Sequence, residues 1–117
     1  MTTTGRPIAT DLRPNWVSAL TDLSWNLATT PERALRDAPR ALKLAERASI
    51  LSKHRDIRAL DALAAAGAAV GQFEQARAAI QEAIALDPVG ATTSGMLDRQ
   101  TLYVQRQPCL ASVPVAR

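Results

Sequence analysis

The stretch AAAGAAVGQFEQARAAIQEAIALDP, from Ala64 to Pro88, constrains the fold of this chain more than any other. Alanine is the strongest helix former, and its side chain barely extends beyond the helix cylinder. Two helices that meet through alanines can therefore pack near the lower end of the roughly 8–10 Å interaxial range. The stretch predicts a helical hairpin. Its first helix follows Asp56, a good N-cap, with Leu60, Leu63, Ala64 and Gly67 at i, i+3, i+4 and i+7. Gly71 suits a left-handed helix terminator. The second helix places Phe73, Ala76, Ile80, Ala83 and Ile84 inward, Phe73 at the closed end, and stops at Asp87 because the residue before Pro88 is pushed out of helical geometry. Gly67 costs about 1 kcal/mol of helix propensity relative to alanine. It either lets a neighbouring helix come closer still or leaves a shallow pocket.

Upstream, Gly5, Pro7 and Pro14 punctuate a polar opening, so residues 1–13 read as a flexible segment with order beginning near Pro14. Leu20, Leu23 and Leu27, with Trp16 one turn earlier, predict one apolar helix face. TTPERALRDAP interrupts it as an extended turn with room for one helical turn, Thr30 and Asp37 being cap candidates and Pro39 lying in a first turn. The next helix has Ala41, Leu44, Ala45, Ala48 and Leu51 inward and Lys43, Glu46 and Arg47 outward. A capping helix is expected over 92–106, with Met96, Leu97, Leu102 and either Tyr103 or Val104 apolar and Thr93 or Ser94 as its cap. Residues 107–117, including Cys109, read as a tail. No stretch alternates Val, Ile, Thr and aromatic residues as strands require, so the chain is expected to be all-α.

Residues 57–90 resemble the tetratricopeptide repeat, a hairpin with a period of about 34 residues. Leu60, Leu63 and Ala64 match its first helix, Gly71 its turn glycine, and Phe73 the aromatic that follows. Ala76, Ile80 and Ala83 match the second helix, and Leu86, Asp87 and Pro88 the closing motif. Gly67 stands where a tyrosine is usual. Residues 17–55 look like a degenerate copy through Leu23, Ser24, Leu27, Ala41, Ala45 and Ala48, with about five extra residues in the turn. The wording of this hairpin resembles a variant common near the end of such arrays in bacterial proteins, where a helix with a Leu-Tyr pair follows; Leu102 and Tyr103 fit that place. The resemblance implies antiparallel hairpins stacked as a short right-handed α-solenoid, four main helices with a capping helix, one domain over 14–106. Two repeats fall short of the three or so normally needed for stability, so the ends need cover, from the capping helix, from Trp16 with the preceding segment, or from self-association.

The net charge is +3, carried by arginines interleaved with acids, without the block of like charge that marks a nucleic-acid arm. A basic nucleic-acid-binding domain stays open as an alternative, motivated by Arg33, Arg36, Arg40 and Arg47, as does a structural cap of a larger assembly. The single cysteine excludes an internal disulfide. No signal-peptide-like opening and no run of about 18 apolar residues is present, so a cytoplasmic protein without a membrane partner is expected. His54 and Cys109 lie too far apart to suggest a metal cluster, and GAAVG has neither a strand before it nor a lysine after it to make a phosphate loop. No catalytic residue, metal or cofactor is expected.

The resemblance implies a protein or peptide partner held on a concave face lined by the first helix of each hairpin. Carried over, the positions are Ser18, Thr21, Trp25 and Ala28, then Arg58, Asp61, Ala65 and Ala68. Trp25 has the strongest binding character, since aromatics dominate interface energetics; burial in the core is the competing role for its indole. The family's clamp for peptide C-terminal carboxylates uses lysine and asparagine, from which Asp61 and Ala65 depart.

Overall fold

The computed structural model describes the backbone of residues 5–87, 90 and 93–110, and the side chains of 16–87, 90 and 95–110. Five α-helices follow one another: α1 (Gly5–Thr29), α2 (Ala38–Leu51), α3 (Ile57–Ala69), α4 (Phe73–Ala85) and α5 (Thr93–Val104), with a 3-10 turn at Arg33–Leu35 between the first two. No strand occurs among the described residues. No helix among them is long and apolar enough to cross a membrane.

Local chemistry sets most boundaries. Asp37 accepts from the Arg40 N–H at 3.2 Å and opens α2; Asp56 accepts from the Ala59 N–H at 3.0 Å and opens α3. Each satisfies one of the donors a helix start leaves unpaired. Gly71, at φ +88°, ends α3 by turning the chain so that the Gln72 N–H donates back to the Gly67 carbonyl at 2.8 Å. The Thr30 hydroxyl accepts from the Glu32 N–H in the long turn. The proposed caps Thr93 and Ser94 lie outside the described side chains, and Pro88 outside the described residues.

Helix α1 starts at Gly5 rather than near Pro14. Pro7 sits in the first turn, where its missing N–H would have had no partner; Pro14 forgoes one internal bond, to the Thr10 carbonyl, without ending the helix.

The core is built around α3, which packs on α1, α2 and α4, while α1 also packs on α2 and α5 on α4. Ala59, Leu60, Ala62, Leu63, Ala64, Ala65, Ala66, Gly67 and Ala68 are all buried, so α3 is enclosed on nearly every side. A helix with three helical neighbours tolerates only small side chains at most positions, which accounts for the alanine run. Leu60 and Ile80 are the largest aliphatic groups with no exposed surface, each stabilising by about 1.5–3 kcal/mol. Gly67 resolves toward close approach: a methyl there would meet the Ala76 N, Gln72 O and Ala76 Cα of the α4 end of the hairpin at 3.6–3.7 Å.

The inward face of α1 differs from the leucine stripe. Val17, Thr21, Ser24 and Ala28 are buried, whereas Trp16 and Leu23 are 53% and 41% exposed. The reason is proximity. Ser24 donates its hydroxyl to the Ala41 carbonyl of α2 at 2.8 Å, a contact that needs the two backbones close and leaves no room for leucine. The segment before Trp16, expected to help it cover one end, lies outside the described side chains. At the other end, α5 buries Met96 and Tyr103 and turns Val104 outward. Cys109 is no loose-tail thiol: it packs into the main core at 9% exposure.

Candidate functional site

On α1, positions 21, 22, 25 and 26 fall on one helical face, as do positions 58 and 61 on α3. These six residues, joined by Arg99 of α5, line a cleft of about 390 Å³. Its size lies within the range of ligand pockets, roughly 300–1,000 Å³, and it combines one aromatic with several polar groups.

Trp25 lies between core and surface. Its indole is half-buried, packs against the main core and forms a wall of the cleft, and the Arg99 guanidinium lies 5.4 Å from the ring centroid. Arg99 simultaneously grips Asp61, Nε donating to Oδ1 at 2.8 Å and Nη2 to Oδ2 at 2.5 Å. Burial pushes the Asp61 carboxyl above its ordinary value, against the pull of the Arg99 hydrogen bond and charge. Burial also lowers the proton affinity of Arg99, but the hydrogen bond and charge of Asp61 outweigh it, so the guanidinium stays cationic.

At the mouth, Arg58 pairs with Asp22, their side chains 64% and 57% exposed. An ion pair so open to water contributes about 0–1 kcal/mol, so either partner can exchange it for an incoming group at little cost. On the floor, the Thr21 hydroxyl oxygen is buried without a hydrogen-bond partner among the described residues. Two guanidinium groups, an exposed Asn26 amide and the Thr21 hydroxyl give the cleft more donors than its two carboxylates use.

Of the eight concave-face residues read from sequence, Thr21, Trp25, Arg58 and Asp61 come together here. Ser18 is half-buried and lies outside the lining. Ala65 has no exposed surface, and Ala28 and Ala68 are equally enclosed, because α3 and its neighbours leave no gap at those positions. Asp22 and Asn26 were accessible to sequence reasoning as helical neighbours of Thr21 and Trp25. Arg99 carried no such signal, since only the return of α5 brings it to α1 and α3. His54 sits exposed at φ +57° with its Nδ1 3.8 Å from Glu82 Oε2. Among the described residues no group of three or more His, Cys, Asp or Glu could hold a metal ion. No family model, curated protein or solved structure matches this chain.

Proposed function

We propose that the chain is a non-enzymatic interaction module of tetratricopeptide type, whose cleft beside Trp25 holds an extended segment of a partner protein. The observation that carries this reading is the convergence of Thr21, Trp25, Arg58 and Asp61 on one open cleft. An accessible indole edge flanked by exchangeable charges and spare donors suits a peptide, which offers apolar side chains and backbone carbonyls together.

The packing pattern supports a stacked arrangement. Helix α1 touches α2 and α3, and α2 touches α3; one hairpin further on, α3 touches α4, and α4 touches α5. Contact of each hairpin with the helix that follows it is in keeping with a short solenoid ending in α5.

The test is selection of peptides from a random library on the purified chain, followed by titration in a Trp16→Phe background, where Trp25 is the sole tryptophan reporter. Binding should change Trp25 fluorescence and weaken about tenfold or more on Arg58→Glu, with Trp25→Ala abolishing it in the parent chain. Peptides that bind both cleft variants as well as the parent would refute the reading.

A further inference from the structure

Two surfaces that share no lining residue with the cleft complement each other. On α1, Trp16, Ala19 and Leu20 line a groove of about 310 Å³ whose far wall is Arg47 of α2. Trp16 is 53% exposed, and Arg47 has no ion pair among the described residues. On α5, Leu97 and Val104 lie seven residues apart and share the face turned away from Met96 and Tyr103. They are 47% and 58% exposed, and with the exposed Thr101 between them they form a ridge, apolar at both ends, flanked by Asp98, which is exposed and likewise unpaired.

We propose that the α5 ridge of one copy seats in the α1–α2 groove of a second copy, with Asp98 facing Arg47, so that the chain self-associates head to tail. Charge selects this pairing over the symmetric ones. Groove against groove would bring Arg47 toward its own copy, and ridge against ridge would do the same for Asp98, whereas groove against ridge joins opposite signs. A side-chain row entering the groove between two helices is the usual way helices pack. A contact between two different surfaces leaves one of each free in a pair, so it adds further copies, in an open series or a closed ring, rather than stopping at a dimer. Trp16 and Trp25 are nine residues apart, half a helical turn out of phase, so the tryptophan of the groove and that of the cleft point to opposite sides of α1.

Sedimentation velocity over a concentration series tests this. The mean mass of the parent chain should rise steadily between about 1 µM and 1 mM. Trp16→Glu and Val104→Glu should each be monomeric alone, with unchanged helical circular dichroism, yet form a one-to-one dimer and nothing larger when mixed. Arg47→Asp or Asp98→Arg should weaken association about tenfold, and combining the two should restore it. Trp25→Ala, which damages the cleft, should leave association unchanged, so this proposal stands or falls separately from peptide binding. A parent chain that stays monomeric throughout, or a Val104→Glu variant that associates as well as the parent, would overturn the proposal.

Discussion

Arg99 and Asp61 join the last helix to the central one through two hydrogen bonds, with side chains only 22% and 15% exposed. Removing one partner strands the other charge in a poorly hydrated place, whereas replacing both with apolar groups removes the desolvation cost as well. Asp61→Ala should therefore destabilise the fold by about 2 kcal/mol, a figure reduced from the fully buried case because some water reaches the pair. The double variant Asp61→Leu with Arg99→Met should recover most of that loss. Urea unfolding of the parent and the two variants measures both effects.

Gly67→Ala should stabilise the protein. The added methyl would sit in ordinary van der Waals contact with the Ala76 and Gln72 backbone, and α3 would gain about 0.5–1 kcal/mol of helix propensity. Gly67→Leu should instead lose about 2 kcal/mol, since its outer carbons run into the same backbone. Thermal unfolding midpoints that rank Ala above Gly above Leu would bear this out.

Tyr103, the only tyrosine, has no exposed surface, and its hydroxyl has no hydrogen-bond partner among the described residues. Burial pushes its phenol far above the ordinary value of 10, with the charges of Cys109 and Asp61 adding to the rise. Above pH 10 the unfolded chain loses this proton while the folded chain keeps it. The stability contribution is therefore complete below pH 10 and drains away as pH rises further. Tyr103→Phe should be neutral or stabilising at pH 7 and should make the alkaline loss shallower, read by denaturant unfolding at both pH values.

Burial likewise raises the Cys109 thiol above its ordinary value, so less thiolate is present than in a free cysteine. As the sole cysteine, it gives a clean readout of whether the segment after α5 is docked. Alkylation at pH 8 should be at least about tenfold slower in the native protein than in urea. Equal rates would show that this segment does not pack on the core.

What could be read from the sequence was what neighbouring residues decide among themselves. Asp37, Asp56 and Gly71 act within a turn of their own position, and each does what its chemistry implies. The apolar face of α1 was misread because leucine content measures hydrophobicity and not approach. Small Ser24 and Ala28 face α2 and α3 because those backbones are close, which leaves Leu23 at the surface. The same closeness buried Ala65 and Ala68, where a two-helix picture left an open face. Arg99 contributes a wall of the cleft from 38 residues beyond Asp61, through a helix whose placement follows from tertiary packing alone.

The most direct test is amide NMR of the chain titrated with a library-selected peptide. Shift changes clustered on Thr21, Asn26, Arg58, Asp61 and Arg99 are the expected result. Changes confined to α2 and the outer face of α4, with the residues around Trp25 unmoved, would contradict the proposal that this cleft is where the protein holds its partner.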